Sequence, residues 1–350
     1  MRTLEIAVLA GDGIGPEVIA EGVRVLREVE RLVPGDRYSL HEFSVGAGEF
    51  LRSGDALPPP TLDRIAECDA VLLGAMGLPD VRSARGVELA PQLDLREHFD
   101  LYAGIRPIFL FHVDDSPLKA HRQTGIDMVI VRESTEGLFF ARKGASSLAD
   151  PEARDVMRIS RHTSERLFRA AFRLASTRRK HVTLVDKSNV LPSMAYFRGI
   201  FNEIAREFPE VATDRIYVDA AALHLVQRPE SFDVMVTENM FGDILSDLAA
   251  GLVGGMGMAP SADIGDAFAV FQPSHGTAPS IAGQGKANPV ATILSVAMML
   301  DWFGEGGRAA SIRSAVRRVF CNPQMRTVEM GGTLSTRAMT GAVLEAMTTV

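Results

Sequence analysis

The stretch Leu4-Glu5-Ile6-Ala7-Val8-Leu9-Ala10-Gly11-Asp12-Gly13-Ile14-Gly15-Pro16-Glu17-Val18 decides the architecture. Residues 4–9 have the length and apolar content of a buried strand. A glycine-rich turn follows, but it is not the Rossmann fingerprint. That motif reads G-x-G-x-x-G, whereas here the glycines fall at 11, 13 and 15 and Pro16 follows at once. Proline is at home in the first turn of a helix. Beyond it, Val18, Ile19, Gly22, Val25, Leu26 and Val29 keep helical spacing. The segment is a strand, a tight turn and an amphipathic helix, and by itself it is weak evidence for dinucleotide binding.

Working outward, the same alternation recurs. Strand-like runs occur at 70–73, 128–131, 182–185, 234–237 and 268–271. Thr163 is placed to cap a helix carrying Leu167, Phe168, Ala171 and Leu174 on one face. The pattern predicts an α/β protein. Its 350 residues suit two domains or one large one, and no internal repeat is visible. The tract Gly251-Leu252-Val253-Gly254-Gly255-Met256-Gly257-Met258-Ala259-Pro260 marks a crossover, a hinge or a surface loop. The apolar stretch 290–300 is too short to span a bilayer and reads as a buried helix.

Lys plus Arg number 37 and Asp plus Glu 44, for a net charge of −7, which argues against a nucleic-acid partner held through phosphates. With 46% hydrophobic and 23% charged residues, disorder is excluded. Two distant cysteines, Cys68 and Cys321, support no disulfide framework or Cys-based zinc site. With no targeting segment visible, the expected location is the cytoplasm, with no membrane contact.

Several constellations could carry chemistry. Arg96 and Arg106 lie ten residues apart, and Arg132 ends a strand. Arginines clamp carboxylates through paired, charge-assisted hydrogen bonds, and sites of α/β sheets lie beyond strand C-termini. Lys187, in Asp186-Lys187-Ser188-Asn189, also follows a strand. Read alone it is a solvated turn lysine; in a site it could act as a base. Asp243 and Asp247 stand four apart on a presumed helix, among Phe241, Ile244, Leu245 and Leu248. Two carboxylates so placed repel unless a cation lies between them, and hard oxygen donors favour Mg²⁺ or Mn²⁺. Finally, Ser274-His275-Gly276-Thr277-Ala278-Pro279, with Asn288, offers donors for phosphate or adenine.

In their order along the chain, these segments and Tyr217-Val218-Asp219 resemble the isocitrate/isopropylmalate dehydrogenase family, the β-decarboxylating hydroxyacid dehydrogenases. The resemblance covers nearly the whole chain. It implies a two-domain α/β fold that is not Rossmann. A large, cofactor-binding domain would comprise 1–98 plus 254–350, and a small domain 99–253 would hold the metal ligands and the dimer interface. It also implies a homodimer with shared active sites, acting on a small dicarboxylate with NAD, or NADP, and Mg²⁺ or Mn²⁺. By resemblance, Arg96, Arg106 and Arg132 grip the malate carboxylates, with Asn189 beside substrate and nicotinamide. Asp219, Asp243 and Asp247 match the metal ligands, with Asp219 and Lys187 lent by the partner subunit as catalytic residues. His275, Gly276, Thr277, Ala278, Ser280 and Asn288 match the adenosine loop. Gln92, Leu93 and Val190 face the C3 substituent.

The sequence departs from the family at telling places. Phe139, in Glu136-Gly137-Leu138-Phe139, stands where the family has Tyr, the proton donor to the enolate. Phenylalanine has no proton to give. Ser280 replaces both the Asp of NAD-using members and the Lys of NADP-using ones, which favours NAD; Arg337 is a candidate basic partner for NADP. Gln272 stands where Glu is common. The expected activity is NAD(P)-dependent oxidative decarboxylation of a 3-substituted (2R)-malate, isopropylmalate-like or malate/tartrate-like. The alternatives are isocitrate or homoisocitrate dehydrogenase, a catalytically weak regulatory subunit, and a non-enzymatic binding module.

Overall fold

The computed structural model describes residues 2–83, 86–119, 125–144 and 148–348. The strands, in chain order, are β1 (Thr3–Leu9), β2 (Arg37–Glu42), β3 (Ala70–Leu73), β4 (Ala103–Phe109), β5 (Asp127–Glu133), β6 (His181–Asp186), β7 (Ala212–Tyr217), β8 (Val234–Thr237), β9 (Pro260–Ile264) and β10 (Ala269–Pro273). The chain divides into two compact units. One comprises Met1–Leu95, Gly254–Ala262 and Ala267–Val350; the other comprises Arg96–Val253 and Asp263–Asp266. The four-residue return at 263–266 is a feature that sequence reading did not separate from the C-terminal segment.

In the first unit the strand order is β2-β1-β3-β10-β9. β1 pairs in parallel with both β2 and β3, and β3 with β10. The helix Gly15–Leu32 buries Val18, Ile19, Gly22, Val25, Leu26 and Val29, the face that the spacing predicted. The helix Val290–Trp302 is buried on almost every side, as the apolar stretch required. The glycine turn is structural. Asp12 carboxylate oxygens accept from the backbone N–H groups of Ala47, Gly48 and Gly77, at 2.7, 2.8 and 2.9 Å. Gly11 and Gly13 adopt φ of 77° and 59°, and a Cβ on either would strike a carbonyl oxygen at 2.1 Å.

In the second unit the order is β4-β5-β8-β6-β7. β4 is antiparallel to β5, and the remaining pairs are parallel. The C-terminal ends of β5, β8, β6 and β7 therefore open on one edge of the sheet. One face is covered by the helices Arg161–Ser176 and Pro192–Ile204, whose Phe168, Phe172, Phe197 and Phe201 interlock. The other face is covered by Leu225 of helix Val218–Gln227 and by Leu245 and Ala249 of helix Asn239–Gly251. The cap of Arg161–Ser176 is Ser160 rather than Thr163. The Ser160 side chain accepts from the Thr163 N–H, which places Thr163 within the first turn. β2 and β7 escaped sequence reading because edge strands such as Arg37–Glu42 and Ala212–Tyr217 are half polar and carry no apolar run. Among the described residues no helix is long and apolar enough to cross a membrane.

Candidate active site

Each strand end on the open edge of the second unit delivers a chemical group. β5 ends in Arg132-Glu133, β6 leads into Lys187, β7 into Asp219, and β8 into Glu238-Asn239. Glu238 caps the helix Asn239–Gly251, accepting from the N–H groups of Met240 and Phe241 at 3.1 and 2.7 Å. That cap fixes the helix start, and so the positions of Asp243 and Asp247 one turn apart.

The three arginines form one buried group. Arg132 is 3% exposed, Arg106 4% and Arg96 6%. Arg132 donates through Nε and a terminal nitrogen to Asn239 Oδ1 at 3.0 and 2.7 Å, and through its other terminal nitrogen to Asp243. Close approach is possible because residue 242 is glycine; a Cβ there would meet the Arg132 stem at 2.6 Å. Burial and the neighbouring Arg96 charge pull Arg132 down to about 10. Burial also lowers Arg106, with Asp263 opposing it.

Asp263 is the residue that sequence reading missed. It is fully buried, and its two oxygens accept from Arg96 Nε at 3.0 Å, from an Arg106 terminal nitrogen at 3.1 Å and from Ser134 Oγ at 3.0 Å. Burial would raise its carboxyl, but Arg106, Arg96 and Arg132 together hold it below the ordinary value. The available signal was one acidic residue in the short run Pro260-Ser261-Ala262-Asp263-Ile264 that follows the glycine tract.

Asp247 is pushed up by burial and then by Asp243, whereas Arg132 and Arg106 act the other way. Two carboxylates on one helix turn, both oxygen donors, suit a hard divalent cation. Among the described residues no group of three or more His, Cys, Asp or Glu could hold a metal within one chain. Asp219 instead accepts from Lys187 Nζ at 2.9 Å, and this hydrogen bond holds the Asp219 carboxyl low. Lys187 Nζ also stands 5.7 Å from the Tyr217 ring centroid. Asn189 and Val190 follow on the surface. The helix Pro91–His98 carries Gln92 and Leu93 in its first turn and Arg96 in its second; Gln92 Oε1 is buried without a partner.

Four of the six adenosine-loop candidates, His275, Gly276, Ala278 and Asn288, line a separate cavity in the first unit, whereas Thr277 and Ser280 do not. It measures about 440 Å³ and is bounded by Ile14, Gly257, His275, Gly276, Ala278, Ile281, Asn288 and Glu329. Its lining is mostly apolar, as a planar base requires. His275 Nδ1 hydrogen-bonds the Gly276 carbonyl, whereas its Nε2 is buried without a partner, and burial lowers its basicity. Ile14 N–H donates to the Thr277 carbonyl at 2.9 Å, so the opening turn positions this loop. Ser280 is exposed, and Asn288 is buried.

Comparison with known proteins follows the same lines. The isocitrate/isopropylmalate dehydrogenase family model matches residues 5–345. The 3-isopropylmalate dehydrogenase of Moorella thermoacetica is 50% identical over 322 residues, covering 90% of each chain. The isocitrate/homoisocitrate dehydrogenase of Thermus thermophilus is 45% identical over 344 residues, covering 98% of each. The crystal structure of isocitrate dehydrogenase from Methylococcus capsulatus superposes with a TM-score of 0.88 at 35% identity, covering 99% of both chains. On sequence and on fold, the chain belongs to the isocitrate/isopropylmalate dehydrogenase family.

Proposed function

We propose that this protein is a metal-dependent, NAD-linked enzyme that oxidises and decarboxylates a (2R)-malate bearing an uncharged group on C3. Family membership makes oxidative decarboxylation of a hydroxy acid the reaction class. The observation that carries the finer reading is the buried group of Arg96, Arg106 and Arg132 beside the Asp243–Asp247 pair. Three fixed guanidiniums bind and orient two carboxylates, leaving the C2 hydroxyl toward the aspartates. Asp243 and Asp247 would hold Mg²⁺ or Mn²⁺, which when bound supplies Lewis acidity at the C2 oxygen. His275, Gly276, Thr277, Ala278, Ser280 and Asn288 would seat the adenosine of NAD, which when bound would supply the hydride acceptor for C2.

Lys187 and Asp219 complete the site from a second copy of the chain. β7 lies three strands from β5, so Asp219 starts about 14 Å along the edge from Arg132. Exposed Leu223, Val226 and Ile244, on the helices Val218–Gln227 and Asn239–Gly251, offer the apolar surface such a homodimer needs. Lys187 relays the proton leaving the hydroxyl. Loss of CO₂ from C3 then leaves an enolate, which Phe139 cannot protonate; Lys187 or water does so. Gln92, Leu93 and Val190 set the C3 group, and Leu93 and Val190 suit an alkyl substituent.

The test is NADH formation with isopropylmalate, D-malate, tartrate and isocitrate, each with Mg²⁺ or Mn²⁺, repeated with NADP. Turnover of an alkylmalate, malate or tartrate supports the reading. Preference for isocitrate overturns the substrate class. Tight binding without turnover of any of them means a regulatory subunit, the reading that Phe139 favours.

A further inference from the structure

The arginine group contains its own counter-ion, and that changes which substrates it can hold. Arg96, Arg106 and Arg132 bring three positive charges into a site almost closed to water. Asp263 brings one negative charge and spends it on the Nε edge of Arg96 and on a terminal nitrogen of Arg106. The fit is built in. Ser134 Oγ donates to the same carboxylate at 3.0 Å. Residue 104 is glycine, and a Cβ there would meet Ser134 Oγ at 2.6 Å and Asp263 Oδ1 at 2.9 Å. Asp243 and Asp247 do not alter the balance, because a divalent cation would cancel them, nor do Lys187 and Asp219, which pair with each other at 2.9 Å. Two positive charges remain for the substrate.

We infer that Asp263 is a specificity-determining residue that matches the arginine group to a dianionic 2-hydroxy diacid and rejects a trianion whose C3 substituent carries a further carboxylate. This rests on the functional reading above and deepens it. A dianion neutralises the remaining charge. A third carboxylate would find no spare cation and would feel the buried Asp263 as a like charge, where few waters screen it. Discrimination by an unpaired buried charge is far steeper than an apolar pocket can supply for one methylene.

The experiment compares the intact enzyme with Asp263→Asn and Asp263→Ser, using NAD and Mg²⁺. The readout is the ratio of kcat/KM for D-malate or isopropylmalate to that for isocitrate. Both variants are expected to lower this ratio at least tenfold, mainly through a lower KM for isocitrate. An unchanged ratio overturns the inference, because a merely structural role would weaken all substrates alike. A second arm needs no turnover: protection of the enzyme against thermal unfolding by D-malate and by tricarballylate. Wild type should be protected more by the dianion, and the variants should lose or reverse that order. Equal or greater protection of wild type by tricarballylate overturns the inference even if neither variant folds. Absence of turnover with every diacid, with the protection order intact, would sink the enzymatic reading and leave the charge-matching role standing.

Discussion

The ring of Phe139 lies against the guanidinium of Arg132, with 5.2 Å between ring centroid and Cζ. The ring is half-buried in the 3₁₀ turn Leu138–Lys143, next to the residue that binds Asp243. A phenol here would place a proton donor beside a fixed cation, which eases its ionisation. Phe139→Tyr is therefore expected to raise the rate of CO₂ release several-fold with the native substrate. The check is pre-steady-state NADH formation beside CO₂ release. A fall in rate would mean that the pocket has been rebuilt around phenylalanine.

Lys187 is expected to act on the chemical step more than on binding. Lys187→Met should lower kcat by about 10²–10⁴-fold, the range of a lost acid–base group, and leave KM within a few-fold. Steady-state kinetics across pH decide it. A change confined to KM would reassign Lys187 to substrate binding.

Asp243→Asn removes one of two charges from the helix turn that would hold the cation. The activation constant for Mg²⁺ should rise at least tenfold, read from activity against free metal and from metal-dependent thermal protection. Metal response identical to wild type would remove Asp243 from the ligand set.

A shared active site makes inactive variants complementary. Lys187→Met and Asp243→Asn homodimers, unfolded together and refolded as a mixture, should recover roughly a quarter of wild-type activity, because half the dimers carry one intact site. No recovery, with mixed dimers confirmed by mass, would mean that each chain builds its site alone.

Glu133 gives a pH signature. Burial raises its carboxyl from 4.5 to about 7, against hydrogen bonds from Thr135 and Glu136. Between these values the folded chain holds a proton that the unfolded chain has released. The contribution is complete below pH 4.5 and is lost as pH rises through about 7, on the order of 3 kcal/mol in all. Glu133→Gln should flatten the fall in stability between pH 4.5 and about 7, measured by denaturant titration. A profile parallel to wild type would show that Glu133 is not the group responsible.

Much of this was legible in the sequence because it depends on local order. Arg132 ends β5 and Lys187 follows β6, both visible as apolar runs, and a parallel sheet brings such ends to one edge without further instruction; Asp219 follows β7, which carries no apolar run, and came from the family resemblance alone. Asp243 and Asp247 share a helix face by spacing alone. Asp263 was not legible, because its partners lie 167 and 157 residues upstream and no periodicity links them. Nor was the Ser160 cap, since Ser160 and Thr163 are equally suitable residues and only the chain path chooses between them. The polar edge strands β2 and β7 owe their form to neighbours, and neighbours are not written in a local window.

Asp263 reaches Arg96 and Arg106 from a four-residue return, Asp263–Asp266, that follows a short excursion, Gly254–Ala262, through the other unit. The second unit is therefore complete only in a piece that runs on to Asp266. A fragment spanning 96–253 would carry both guanidiniums into its interior and leave their shared carboxylate behind. Any recombination, truncation or circular permutation of this gene has to carry that short return along with the segment it closes.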